Sequence, residues 1–170
     1  LSVPPRPVSE RAAAGLAACG KIPFAATFAC FLSRAYDFIR MAAISGSNIK
    51  LVGTHVGVSI GEDGPSQMGL EDIAMMAVQP NVTVLYPSDG NSTYRLLETA
   101  AQHKGMVYIR AGRPKTPVIY GQDERFHIGG SKIIRESTSD VLTIVAAGVT
   151  LFEALKAHDQ LKAAGIAVRV

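Results

Sequence analysis

The sequence predicts an α/β protein built on a parallel sheet flanked by helices. Three observations carry that prediction. Short apolar runs alternate with longer segments of helical period along the whole chain, the order that yields parallel strands joined by right-handed crossovers. The apolar runs are nearly continuous rather than alternating, as strands buried on both faces require. The composition, 48% hydrophobic and 18% charged over 170 residues, is that of a globular chain leaning apolar.

The elements follow in order. Residues 1–11 read as an extended segment, because Pro4, Pro5 and Pro7 each remove a backbone donor and bias the preceding residue away from helix. Residues 12–19 are alanine-rich and read as a helix stopped by Gly20. Residues 22–27 read as a strand. Residues 28–44 read as one long helix, capped by Thr27 and ended by Ser45-Gly46. A buried strand over 49–53 leads into a glycine-bearing loop over 54–67. Leu70, Ile73, Ala74 and Ala77 then fall at i, i+3, i+4 and i+7, the inward stripe of a helix, which Pro80-Asn81 breaks. A strand over 82–86 and the capping turn Pro87-Ser88-Asp89-Gly90 precede a helix whose apolar face is Thr93, Leu96, Leu97 and Ala100. A strand over 106–110 and a loop over 111–116 come next. Residues 117–136 read as a small antiparallel excursion.

Ser137-Thr138-Ser139-Asp140 reads as a linker. Beyond it stand a strand over 141–146, a helix over 151–164 stopped by Gly165, and a strand over 166–170. The chain thus divides into an atypical start (1–11), a main domain (12–136) and the first βαβ unit of a second domain (137–170). A lone βαβ unit cannot bury both faces of its strands, so the polypeptide is expected to continue past Val170.

The formal net charge is +3, with basic residues scattered rather than clustered, which argues against a nucleic-acid partner. No apolar run approaches the ~18 residues that span a bilayer, and the proline-rich start is unlike a secretory signal. Cys19 and Cys30 lack metal-ligand spacing and read as buried thiols of a reducing cytosol.

In an open α/β sheet a ligand sits at the carboxyl ends of the strands. Here those ends carry Thr27-Phe28, Thr54-His55, Pro87-Ser88 and Gly112-Arg113. Phe28 and Phe31, at i and i+3 in a first helical turn, share a face on which a flat heteroaromatic ring can stack; the same spacing also serves a hydrophobic core. His55 can bond a substrate hydroxyl or move a proton, or act as a structural histidine. The loop Gly57-Val58-Ser59-Ile60-Gly61-Glu62-Asp63-Gly64-Pro65-Ser66-Gln67 sets two carboxylates between glycines, unusual for a connector, with a solvated acidic turn as the plainer alternative. Arg113 offers a fork of donors suited to phosphate, or a surface charge. His103, His127 and His158 receive no role.

Taken together and in order, Ile22-Pro23-Phe24, Thr27 to Phe31, Arg40-Met41-Ala42, Thr54-His55, Gly61-Glu62-Asp63-Gly64-Pro65-Ser66-Gln67, Tyr86 to Gly90 and Arg110 to Pro114 resemble the pyrimidine-binding domain of transketolase. Residues 141–170, with Ala147-Gly148-Val149-Thr150, resemble the opening of that family's C-terminal domain. The resemblance implies thiamine diphosphate as cofactor, with a magnesium or calcium ion held by a domain outside this chain. It implies transfer of a two-carbon ketol group from a ketose phosphate to an aldose phosphate in the cytoplasm, in a homodimer or with a complementary diphosphate-binding chain. By position, Phe28 and Phe31 would pack on the aminopyrimidine ring, with Arg34 lining the same side. His55, Asp63, Gln67 and Arg113 would contact the sugar phosphate: His55 near its terminal hydroxyl and phosphate, Asp63 on a hydroxyl, Gln67 on donor or intermediate, and Arg113 on the phosphate. His55 and Gln67 are the catalytic candidates.

The sequence departs from the family in two ways. The glutamate that activates the pyrimidine ring falls, by ungapped counting from Gly15, on Arg6; Glu10 is near but out of register. The upstream diphosphate- and metal-binding segment does not occur in these residues. The chain alone is therefore expected to be inactive. The alternatives are another thiamine diphosphate enzyme (deoxyxylulose-phosphate synthase or a keto-acid dehydrogenase beta subunit) and a non-catalytic chain that only binds a partner.

Overall fold

The computed structural model describes residues 7–170, with side chains from residue 9 onward. Arg6, the position matched to the activating glutamate, lies outside the described residues. Helix α1 spans Pro7–Ala18. Residues 7–11, expected to be extended, are thus its opening turns, because a proline at the first helical position has its φ already set and loses only an N–H that has no partner there.

Strand β1 (Phe24–Phe28) is followed by a short helix α2 (Ala29–Leu32), a 3₁₀ turn (Ser33–Ala35) and helix α3 (Tyr36–Ile44). The single helix expected over 28–44 is therefore broken. At the break the Ser33 hydroxyl donates to the Cys30 carbonyl at 2.7 Å, a local bond that competes with the helical ladder, and Ala35 leaves helical geometry at φ −100°, ψ 8°. Strand β2 (Lys50–Thr54), helix α4 (Asp72–Ala77), strand β3 (Val82–Leu85), helix α5 (Gly90–Gln102) and strand β4 (Met106–Arg110) complete the main unit. The four strands form one parallel sheet in the order β1-β2-β4-β3.

Every residue of β4 is buried, as its central place demands. One face of the sheet packs on a core of Leu32, Ala35, Ile39, Leu51, Met76 and Tyr108. The other packs Val107 and Ile109 against Leu96 and Ala100 of α5. The expected apolar face of α5 is thus the one that turns inward.

Helix α4 turns the other way. Leu70, Ile73, Ala74 and Ala77 are exposed, whereas Asp72, Met76 and Gln79 are buried. The inward polar groups are satisfied: Asp72 binds Arg110 and Tyr108, and the Gln79 amide donates to the Tyr36 hydroxyl and to the Met75 carbonyl. Lys50, fully buried, donates to Asn48 Oδ1 and to the carbonyls of His103 and Gly105 at 2.6–2.8 Å. It ties the amino end of β2 to the turn before β4, and burial lowers its ammonium pKa.

Residues 117–136 contain no strand. They run irregularly across the sheet, held by backbone amides of Ile119 and Tyr120 on Asp89 and by Phe126 and Ile128 against the second core. Strands β5 (Leu142–Thr143) and β6 (Val168–Arg169) pair in parallel and are joined by helix α6 (Thr150–Ala163). The strand expected over 141–146 shrinks to two residues, and Val141 and Val145 remain exposed with no second neighbour to extend the ladder. The cysteines are not buried as expected. Cys19 is exposed just past the end of α1, and Cys30 is partly buried in α2; neither forms a disulfide.

Candidate functional site

The carboxyl ends of β1, β2 and β4 lie side by side in the sheet, and the site residues leave from them. Phe28 ends β1 and Phe31 follows in α2. Their rings are nearly parallel, 9° apart with centroids at 5.4 Å. His55 follows β2 at φ 57°, a left-handed conformation that strains a residue with a Cβ and persists only where surroundings hold it. What holds it is on both sides of the ring. The imidazole stacks on Phe28 at 3.6 Å, and its Nδ1 lies 3.0 Å from the Thr54 hydroxyl.

That second contact bears on the tautomer. With the Thr54 hydroxyl donating to the Thr27 carbonyl at 3.3 Å, its oxygen is left to accept from a protonated Nδ1. Nε2 then presents a lone pair to the cleft, 4.0 Å from an Asp63 carboxylate oxygen. Thr54, which sequence reasoning passed over, is the residue that orients His55. The signal available was only its place one residue before the imidazole on a strand end. Replacing Thr54 with valine removes the acceptor while keeping the shape. The expected result is a shift of His55 from a single Nδ1–H tautomer to a mixture, read from the two ring ¹⁵N resonances; unchanged resonances would refute the assignment.

The acidic loop is anchored at its base. Val56 bridges Gly69, the Gly57 amide donates to the Gly69 carbonyl at 2.8 Å, and the Gly69 amide donates to the His55 carbonyl at 3.3 Å. A Cβ on Gly69 would sit 2.6 Å from Ala29 Cβ, so only glycine lets the loop base close on α2. From this base the chain winds through two 3₁₀ turns, Val58–Asp63 and Pro65–Gln67, with Gly57, Gly61 and Gly64 all at positive φ. Ile60 is buried beneath it.

Arg113 reaches this loop from beyond β4. Its Nη1 lies 2.9 Å from Asp63 Oδ2 and donates to the Ile60 carbonyl at 2.9 Å; its Nη2 lies 3.2 Å from Glu62 Oε1. The Glu62 carboxyl is held below the ordinary carboxylate range by its own backbone amide and by Arg113. Phe31, Phe28, His55, Asp63 and Arg113 are therefore linked contact to contact. Gln67, partly buried at the end of the second turn, has no hydrogen-bonded side chain among the described residues, and Arg34 is exposed in the turn after α2. Neither is tied to that line of contacts.

Glu10 belongs elsewhere. It is 5% exposed, accepts a hydrogen bond from the Ser9 hydroxyl at 2.9 Å, and lines a recess with Phe38, Met41, Ala42 and Ser47. None of Phe28, Phe31, His55 and Arg113 lines that recess. Among the described residues no cluster of His, Cys, Asp or Glu could hold a metal ion, and no helix is long and apolar enough to cross a membrane.

The sheet order and the placement of these residues define a parallel α/β domain with its candidate site at the carboxyl edge. Residues 9–118 match the family described as transketolase, pyrimidine binding domain, and the chain belongs to that family. It is 56% identical over 149 residues to transketolase-like protein 1 of Bos taurus, covering 88% of this chain and 25% of that protein. To transketolase of Homo sapiens it is 54% identical over 149 residues, 88% of this chain and 24% of the relative. Among solved structures, a split gene transketolase described as an inactive beta4 tetramer superposes with TM-score 0.88 at 39% identity, covering 98% of this chain and 53% of that one. Pichia stipitis transketolase in complex with sedoheptulose-7-phosphate gives TM-score 0.84 at 27% identity, over 97% of this chain and 25% of that one. The chain thus spans about a quarter of the length of the curated relatives it matches.

Proposed function

We propose that this chain is the pyrimidine-binding portion of a transketolase, with residues 137–170 opening the domain that follows 12–136. The whole enzyme would move a two-carbon ketol group from a ketose phosphate to an aldose phosphate in the cytoplasm. The observation that carries this reading is the unbroken line of contacts from Phe28 through His55 and Asp63 to Arg113. It puts an aromatic shelf, an imidazole, a carboxylate and a guanidinium along one sheet edge.

Supporting this, Phe28 and Phe31 present near-parallel rings, with His55 stacked on Phe28, against which a flat heteroaromatic ring could lie. Phe28 and Phe31 would hold the aminopyrimidine, with Arg34 at its margin. Bound there, thiamine diphosphate supplies the electron sink that lets a carbon–carbon bond beside a carbonyl break. The diphosphate and its magnesium or calcium ion would be held by another domain, in a homodimer partner or in a complementary chain. The chain's own groups act on the sugar. Arg113 binds the phosphate in a charge-assisted fork. Asp63 accepts from a sugar hydroxyl. His55 Nε2, free as an acceptor, receives or returns a hydroxyl proton, and Gln67 adds an amide donor.

With Arg6 at the glutamate's place, the chain by itself is expected to be inert. One observation favours the alternative of a chain that binds a partner without catalysis: the split-gene structure on which it superposes with TM-score 0.88 is described as inactive. The test mixes the purified chain, and its Arg6→Glu variant, with a diphosphate-binding transketolase chain, thiamine diphosphate and magnesium. Ketol transfer between pentose phosphates should appear only in the mixture, and more strongly with the variant. Turnover by the chain alone would overturn the expected inactivity. Pyruvate decarboxylation instead would point to a deoxyxylulose-phosphate synthase or keto-acid dehydrogenase role. A complex that forms and never turns over would favour the partner-binding reading.

A further inference from the structure

Arg113 is not waiting open for a phosphate. Both of its terminal nitrogens are engaged by the loop: Nη1 by Asp63 and the Ile60 carbonyl, Nη2 by Glu62. A dianion that approached this guanidinium would meet two carboxylates already seated on it. We propose that Glu62 and Asp63 form a charge gate on Arg113 that the substrate's phosphate must displace, so that phosphate binding frees Asp63 for the sugar hydroxyl. This rests on the assignment of Arg113 to the phosphate and adds Glu62 as a specificity-determining residue.

Three features of the loop support the gate. The carboxylates lie between Gly61, at φ 70° and ψ −115°, and Gly64, at φ 78°. These positive-φ positions are ones where glycine can change backbone state at little cost. Ser59 Oγ is buried without a hydrogen-bond partner among the described residues, so the closed loop leaves a polar group unsatisfied that movement would relieve. Glu62 is 82% exposed at the rim, whereas Asp63 is 31% exposed and also faces His55 Nε2. The outer carboxylate can swing into solvent when phosphate takes Nη2. The inner one, released from Nη1, remains beside the imidazole where a sugar hydroxyl would lie. A phosphorylated sugar opens the gate; an unphosphorylated one has no anion with which to compete. Phosphate recognition and hydroxyl recognition are coupled through one arginine.

The test titrates inorganic phosphate into the full chain at low ionic strength, where exposed charges are least screened, following the amide resonances of Gly57, Gly61 and Gly64. In the wild type, phosphate should shift all three. Glu62→Gln should bind phosphate ~3-fold more tightly, the scale of an exposed ion pair, and its glycine resonances before titration should already lie toward the phosphate-bound positions. Arg113→Gln should lose the binding. If Glu62→Gln binds phosphate no better than wild type while Arg113→Gln still loses it, the gate is wrong and the phosphate assignment stands. If Arg113→Gln binds as the wild type does, the assignment itself fails. Glu62 lies at the surface, so its variant should fold, and circular dichroism checks that it has.

Discussion

Asp72→Ala is expected to destabilise the chain by about 3–5 kcal/mol, the cost of stranding one member of a buried ion pair. Asp72 is 1% exposed and opens α4 on its buried face. It accepts from the Tyr108 hydroxyl at 2.7 Å and from Arg110 twice, through Nε at 2.7 Å and Nη2 at 3.1 Å. Burial alone would lower the Arg110 pKa, but Asp72 and the neighbouring tyrosine rings raise it, and the guanidinium also lies 4.5 Å from the Tyr86 ring. Burial, with the Asp72 charge beside it, pushes the Tyr108 phenol far up. Alanine would leave the Tyr108 hydroxyl without its acceptor and Arg110 with only the Gly69 carbonyl. Urea unfolding should show the loss, and the melting temperature should fall by ~6–20 °C, given ~2–4 °C per kcal/mol for a chain of this size. The double variant Asp72→Leu with Arg110→Met removes charge and counter-charge together and should recover part of the loss, since apolar replacement of a whole buried pair is often near neutral. A double variant less stable than Asp72→Leu alone would show that Arg110 contributes chiefly through Tyr86 and the Gly69 carbonyl, to which it also donates at 3.3 Å.

That buried pair marks where the sequence was hardest to read. The strands were legible because β1, β2, β3 and β4 are short apolar runs between clear breakers, and a buried parallel strand has no competing pattern of that length. Helix α5 was legible because its cap, Asp89, and its stripe agree. Helix α4 was not. Its apolar stripe is exposed and its buried face holds Asp72 and Gln79, because partners far along the chain, Arg110 and Tyr36, satisfy those polar groups. Periodicity sees neighbours three and four residues apart; it cannot see a counter-ion 38 residues away. The break between α2 and α3 failed to show for the opposite reason, being as local as one serine hydroxyl on a carbonyl. Strand-end position and motif pick out Phe28, His55, Asp63 and Arg113, which the structure brings into contact. Thr54 and Glu62 come into view only through geometry, since what matters is which ring nitrogen and which guanidinium nitrogen each one faces. Gln67 and Arg34, carried over by motif alone, are the two that no side-chain hydrogen bond or ion pair among the described residues joins to the rest.

Asp89→Ala should be the second large effect, and this one carries a pH signature. Asp89, 3% exposed, closes a capping box at the start of α5. Its Oδ1 accepts from the Ser92 amide at 2.8 Å and the Ser92 hydroxyl at 2.7 Å. Its other oxygen, Oδ2, accepts from the amides of Ile119 and Tyr120 at 2.8 and 3.0 Å, so one carboxylate holds both the helix and the irregular segment that covers the sheet. Alanine loses the cap, ~1–2 kcal/mol, and leaves the half-buried Ile119 and Tyr120 amides without their acceptor, which adds ~1–3 kcal/mol. Burial pushes the Asp89 carboxyl up, but the amides of Tyr120, Ser92 and Ile119 and the Ser92 hydroxyl outweigh it, and the net pKa is lowered. A carboxyl whose folded pKa lies below its unfolded value, ~3.9, stabilises fully above that value and loses its contribution as pH falls through it toward the folded pKa. Wild-type stability should therefore fall below about pH 4 more steeply than that of Asp89→Ala, and the two curves should converge in acid. Curves that stay parallel from neutral pH down to pH ~2 would mean that the protonated carboxyl holds Ile119 and Tyr120 as well as the carboxylate does, which its reduced acceptor capacity argues against.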